Sequence, residues 1–243
     1  MQFFIVIQLL LFTISGNLFA QKESTIGSFL KKAGIGSSKS GTSLSGDEIV
    51  SGLKEALSLG AQKSSDRLSL ADGFLKDAAI KILMPPEASR VESKLRMLGM
   101  GKLVDDAMLS MNRAAEDASK SAAPIFLSAI KRMSVSDALG ILRGKDTSAT
   151  AYLRKSTSEQ LTNAFLPVIE ASLKKVDATK YWKDVFSAYN RVSLKPVNTD
   201  INSYVTERAL AGMFYYVAQE EKNIRTNPSA RATDLLKKVF GGN

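Results

Sequence analysis

From Ser45 onward apolar residues recur every three or four positions, and they keep that spacing almost to the end of the chain. Ser45-Gly46-Asp47-Glu48 has the form of a capping box: the serine caps the third helical amide and the glutamate reaches back. Ile49, Leu53, Ala56, Leu57 and Gly60 follow at helical spacing. Over 102–121, Leu103, Ala107, Met111 and Ala114 share one helix face, and Pro124 opens the next helix, to Met133. Ser134-Val135-Ser136-Asp137 starts a short helix that stops at Gly144. Asp146 or Thr147 then caps a helix to about Lys155, and Ser156-Thr157-Ser158-Glu159 begins a long one through Val176, bent at Pro167. Residues 178–193 form another, followed by a loop over 194–199.

Asp200 opens the most apolar helix. Its stretch Ala209–Ala218 carries no charge and reads as a central helix, buried on every side. Asn227-Pro228 starts a last helix ending at Gly241, with Ala232, Leu235, Leu236, Val239 and Phe240 on one side; docking of that side on the same domain is favoured over a membrane contact. The helical period lapses between Leu70 and Met84. There Ile80, Ile82 and Met84 alternate with Lys81 and Leu83, an extended passage ended by Pro85-Pro86, and Pro86 opens a helix through Leu98. Nine or ten helices, no run of alternating strands and no internal repeat predict a single all-α domain over residues 47–243.

Ahead of it, residues 1–20 read as a secretory signal: an apolar run from Phe3 to Ile14, helix-breaking Ser15-Gly16-Asn17, and Ala20 at the cleavage point. The run is shorter than the roughly 20 residues a spanning helix needs. An uncleaved apolar anchor is the alternative, since the first residues lack Lys and Arg. Residues 21–46, rich in Ser, Gly and Lys, are expected to be a flexible tether. The expected location is therefore outside the cytoplasm, periplasmic or secreted, and not as a typical lipoprotein, which would need a cysteine.

Composition narrows the chemistry. The chain has no cysteine and no histidine. Disulfides, histidine- or thiolate-bound zinc and haem, and nucleophile systems built on histidine are all excluded. No cofactor is implied. Thirty-three Lys and Arg against 24 Asp and Glu give a net charge of +9. For an exported chain such a surface suits anionic lipid or other envelope polymers, and peripheral membrane contact is one outcome. Nucleic acid is not expected, because no recognition motif is present. Oligomeric state stays open.

Leu109-Ser110-Met111-Asn112-Arg113-Ala114-Ala115-Glu116 resembles a signature of an exported bacterial family, domain of unknown function 4197. Met133-Ser134-Val135-Ser136-Asp137-Ala138 with Gly140-Ile141-Leu142 is similar to a second signature, and Ile224-Arg225, Asn227-Pro228, Arg231 and Thr233 to Gly241 to its closing segment. The resemblance spans about Asp47 to Gly241. It implies an exported helical domain and no activity.

Several local patterns suggest chemistry and fail on inspection. Gly140 to Thr147 looks like a phosphate-binding loop, but its glycine spacing is one short and Asp146 stands where Ser or Thr is needed. A helix-terminal anion site at Lys145, Thr147 and Ser148 is what survives. Ser128-Ala129-Ile130-Lys131 matches an acylating motif, as do Ser172 to Lys175 and Ser28 to Lys31, without the partner motifs. The acid pairs Asp105-Asp106, Glu116-Asp117 and Glu220-Glu221 are adjacent in sequence, so their side chains diverge by about a hundred degrees on a helix. Glycoside-type catalysis would need two acids from different helices.

Two readings follow. The first is a non-catalytic envelope binding protein for an apolar or anionic ligand or a protein partner; Asn112, Arg113, Glu116, Lys145, Thr147, Arg154 and Trp182 are its candidate ligand contacts. In that case the methionines between Met84 and Met133, with Tyr181, Trp182, Phe186 and Tyr189, are candidate pocket walls. Packing alone also accounts for these groups, and a self-satisfied polar network accounts for Asn112, Arg113 and Glu116. The alternative is a histidine-free hydrolase of envelope polymers working through Asp and Glu.

Overall fold

The computed structural model of the chain describes residues 45–175, 182, 183, 186, 187, 190, 191, 196 and 200–240. The expected signal, nearly all of the tether, Tyr181 and Tyr189 lie outside them. The described residues form eight α-helices with defined bounds and no strand: α1 Gly46–Ser69, α2 Ser89–Met97, α3 Gly101–Ser119, α4 Ala122–Arg132, α5 Val135–Arg143, α6 Ser148–Lys175, α7 Ile201–Thr226 and α8 Asp234–Phe240. Short 3₁₀ turns at Pro86–Ala88 and Pro228–Ala230 precede α2 and α8. Trp182, Lys183, Phe186, Ser187 and Asn190, between α6 and α7, are also helical.

The caps read from sequence operate as written. Ser45 accepts from Glu48 N–H at 3.2 Å while the Glu48 carboxylate accepts from Ser45 N–H at 2.8 Å. Ser134 and Asp137 do the same for α5, and Asp200 caps α7. The interior joins α1, α3, α4, α6 and α7: α6 packs on α3, α4 and α7, and α1 on α4 and α7. Leu53, Met111, Phe126, Leu161, Phe165 and Phe214 are buried there, with Phe126 edge-on to Phe214 at 5.8 Å. Side chains of this kind contribute roughly 1.5–3 kcal/mol each when fully buried.

Three expectations need correction. The break expected near Ser156 is absent, and α6 runs unbroken across it, with Pro167 inside. The hydroxyls expected to cap a new helix turn back instead. Ser156 donates to Tyr152 O, Thr157 to Leu153 O and Ser158 to Arg154 O, which satisfies them within a continuing helix. The stretch Ala209–Ala218 of α7 is not buried all round, because Ala211 and Tyr215 face solvent. The closing helix is interrupted: a 3₁₀ turn, then extended residues, then α8. Arg231 holds the break by donating to Ile224 O at 3.2 Å and Arg225 O at 3.0 Å, carbonyls that α7 leaves open at its end. α8 itself lies on α1. Leu236 is fully buried against Ala56 and Ile224, whereas Ala232 is exposed.

Residues 70–85 connect α1 to the first 3₁₀ turn without regular structure, yet Phe74, Ile80 and Ile82 enter the core. The Phe74 ring lies so close to α7 that a Cβ on Gly212 would meet its Cε1 at 2.7 Å. Only glycine fits there.

Candidate functional site

A buried segment without helix or sheet can bond only some of its amides internally: those of Gly73, Lys76, Asp77, Ile80 and Lys81 reach carbonyls of the connector, and other elements must supply the rest. α3 supplies most. Asn112, fully buried, accepts from Ile82 N–H at 2.9 Å and donates through Nδ2 to Ile82 O at 2.8 Å and Met108 O at 2.7 Å. Its carboxamide thus replaces the neighbouring strand that the alternating Ile80-to-Met84 passage lacks.

One turn on, the Glu116 carboxylate is 3% exposed, a position a lone charge could not hold. Its Oε1 accepts from Phe74 N–H and Leu75 N–H at 3.1 and 3.2 Å, and its Oε2 from Arg113 Nη1 at 2.6 Å. Arg113 also donates to Asp72 at 2.7 Å, and Asp72 pairs with Lys76 at 2.8 Å. Asp72 sits at φ +70°, a left-handed conformation that Asp tolerates better than most residues. Hydrogen bonds from Lys76 and Arg113 hold its carboxyl below the usual range, and Glu116, then Asp72, raise the Arg113 guanidinium.

Farther along the connector, Asp77 accepts hydrogen bonds from Tyr216 of α7 and, at 3.2 Å, from Arg67 of α1. The Arg67 guanidinium stands 4.3 Å from the Tyr216 ring centroid. Burial pushes the Asp77 carboxyl up, but bonds from Tyr216, Ala79 N–H and Arg67 outweigh it and leave it lowered. Burial and the Asp77 bond push the Tyr216 phenol up to about 12.

A second carboxylate binds the start of α6. Glu221 accepts from Ala149 N–H at 2.9 Å and from Thr150 N–H and Oγ1, both at 2.8 Å, while Arg225 donates to it at 2.9 Å. The helix-terminal amides that could receive a free anion therefore hold a carboxylate of the same chain, and the cap comes from α7 rather than from Asp146 or Thr147. Lys145 and Thr147 are exposed beside it.

Along most of its length the chain matches one family model, "Protein of unknown function (DUF4197)", over residues 43–241. It belongs to this family. No significant match was found among curated proteins or among solved structures.

Of the candidate contacts, Asn112, Arg113 and Glu116 come together in this DUF4197 domain, and each is engaged with the connector. Lys145 and Thr147 lie apart from them at the start of α6. Arg154 is exposed along the chain but sets its guanidinium 4.4 Å from the centroid of buried Phe214. Trp182 is 4% exposed and packs on Phe186 at 4.4 Å between ring centroids. The methionines divide: Met111 and Met133 are core, whereas Met97 and Met100 point outward. A cavity lined by Leu53, Ala56, Leu57, Glu221, Ile224, Arg225 and Phe240 encloses about 10 Å³, space for about one water. Among the acid pairs, Asp105 and Asp106 are held by Arg96 and Lys102, and Asp117 by Lys120. Within the described residues no group of three or more acids could hold a metal ion, and no helix is long and apolar enough to cross a membrane.

Asp72, Asp77, Tyr216 and Arg67 carry no signal in the sequence, while Glu221 stands out there only as one of an adjacent acid pair and Arg225 only within the closing family segment. The one available signal was the connector itself, a 70–85 segment with buried apolar residues and no element to bond its amides.

Proposed function

We propose that this chain is a non-catalytic binding domain of the cell envelope, exported from the cytoplasm, that meets its partner through its outer surface. The observation that carries the reading is the use of Glu116 and Glu221. Both are buried carboxylates, and both spend their oxygens on backbone amides of their own chain and on Arg113 and Arg225. A general acid or nucleophile needs a lone pair or proton facing substrate. Asp72 and Glu116 do approach from different elements, as a hydrolase would require, but the Arg113 guanidinium lies between them rather than an open cleft.

The experiment incubates the purified chain with isolated envelope material and follows both cosedimentation and release of soluble fragments. Binding without release is the expected result. Release that Glu116→Gln or Glu221→Gln abolishes would establish the hydrolase instead.

A further inference from the structure

The two most exposed large apolar side chains among the described residues are chain neighbours, and a third lies two positions on; Leu70 at 65% and Leu83 at 55% stand elsewhere. Met97 is 84% exposed, Leu98 75% and Met100 46%, all at the tip where α2 turns into α3. Scattered exposed apolar residues need no explanation, but three in four consecutive positions at one helix–helix turn do.

The turn is built to hold them outward. Gly99 adopts φ +77°, and its N–H donates to Arg96 O at 3.1 Å while Met100 N–H donates to Leu95 O at 2.8 Å. This pair of bonds is the Schellman arrangement, which needs a left-handed residue that glycine supplies without steric cost. Leu98 N–H donates to Lys94 O at 3.0 Å. The amides of Leu98, Gly99 and Met100 are therefore satisfied inside the hairpin. These three amides can approach an apolar phase without being left unpaired.

Cations accompany the apolar tip along α2 and at the start of α3. Between Pro86 and Val104 stand Arg90, Lys94, Arg96 and Lys102 against two acids, Glu87 and Glu92. Asp105 and Asp106 come one turn farther back. Arg96 bridges Glu92 at 3.0 Å and Asp105 at 2.8 Å, which ties α2 to α3, and Lys102 pairs with Asp106. Arg90 and Lys94 take part in no ion pair among the described residues. An apolar point with the unpaired cations Arg90 and Lys94 on the same short helix suits an anionic bilayer surface, with thioether and isobutyl groups below the headgroups and cations among the phosphates.

We infer that the α2–α3 hairpin tip is a membrane-contact site, inserting Met97, Leu98 and Met100 into the headgroup region of an anionic phospholipid bilayer. The inference rests on the surface-binding reading and names its partner. The tip does not span the bilayer. It anchors one end of the domain reversibly, as a few buried apolar side chains and nearby cations do.

The test is cosedimentation of the intact chain with phosphatidylglycerol–phosphatidylcholine vesicles and with phosphatidylcholine vesicles, beside Met97→Ser/Leu98→Ser and Lys94→Gln variants. These positions are exposed, so circular dichroism and melting stay unchanged. The wild type binds the anionic vesicles more tightly. The double variant loses about tenfold or more in partitioning, and Lys94→Gln roughly fivefold at low salt, with less difference at high salt.

A double variant that binds like the wild type would overturn the inference, as would wild type that stays in the supernatant. So would a wild-type dimer that the double variant dissociates without any vesicle binding, because the tip would then join two copies of the chain. If the tip fails while the protein still cosediments with envelope material and releases no fragments, the broader binding reading stands. Fragment release would end that reading whatever the vesicles show.

Discussion

Asn112 brackets the peptide of Ile82, accepting from its N–H at 2.9 Å and donating to its carbonyl at 2.8 Å. Both residues are fully buried, so the bond pair fixes where the connector crosses α3. Asn112→Ala orphans both backbone groups in the core. At 1–3 kcal/mol for each unsatisfied buried group, the loss is about 3 kcal/mol. Asn112→Asp should be nearly as damaging, because its carboxylate would meet the Ile82 carbonyl without a donor. Urea denaturation of both variants checks this; a loss under about 1 kcal/mol for Asn112→Ala would count against the bracket.

Glu221 and Arg225 should differ in cost although they pair. Glu221→Ala leaves the amides of Ala149 and Thr150 and the Arg225 guanidinium without their carboxylate. Arg225→Ala leaves Glu221 still holding three donors of α6. The expected losses are roughly 3 kcal/mol for Glu221→Ala and half that for Arg225→Ala. Equal losses in chemical denaturation would mean that the ion pair, not the cap, matters most.

Truncation before Asn227 removes α8 and uncovers the face of α1 around Ala56. Leu236 is completely buried, so its loss alone is worth roughly 1.5–3 kcal/mol. The truncated chain should melt several degrees lower. Unchanged melting would show that α8 is an appendage.

Alkaline sensitivity is expected from Tyr216, whose folded pKa of about 12 lies above its ordinary value of 10.0. Below the ordinary value both states keep the phenolic proton, and the contribution to stability is whole. As pH rises through that window the unfolded chain releases the proton and the native state retains it, so stability falls. Asp72 and Asp77, lowered in the fold, act in the opposite range: their contribution is present above the ordinary aspartate value and fades as pH falls through the folded ones. Tyr216→Phe should lower stability near neutral pH by roughly 1.5–3 kcal/mol and flatten the alkaline decline. Melting curves across the pH range measure both.

Gly212→Ala places a Cβ 2.7 Å from the Phe74 ring. Phe74 is fully buried and its N–H is held by Glu116, so the ring has little room to retreat. A loss of about 1–3 kcal/mol is expected from this overpacking, although alanine is the better helix former. A stabilised Gly212→Ala would show that Phe74 is loosely placed.

Local signals were legible where their partners lay within a turn or two. Ser45 with Glu48, and Ser134 with Asp137, mark helix starts because both halves of each box are in the sequence window. The cap of α6 was not legible, because Glu221 lies 72 residues from Ala149. The Ser156–Glu159 stretch misled for a related reason: a hydroxyl can cap a new helix or bond back into an old one, and packing along Leu153, Leu161 and Phe165 decides. In the site, Asn112, Arg113 and Glu116 were visible as polar residues on an apolar helix face. Their partners were not, since Ile82 and Phe74 offer only backbone groups, which every residue has.

Arg113 tests the account most directly, because it is the most exposed of Asn112, Arg113 and Glu116 and the one of the three a ligand could reach. Thermal unfolding and envelope cosedimentation of Arg113→Ala should be measured on a single preparation. If Arg113 braces the connector through Glu116 and Asp72, the melting temperature falls by several degrees, for a loss of roughly 1–3 kcal/mol, and binding well below that temperature is retained. An unchanged melting temperature with binding lost would contradict the account and make the cluster a ligand site.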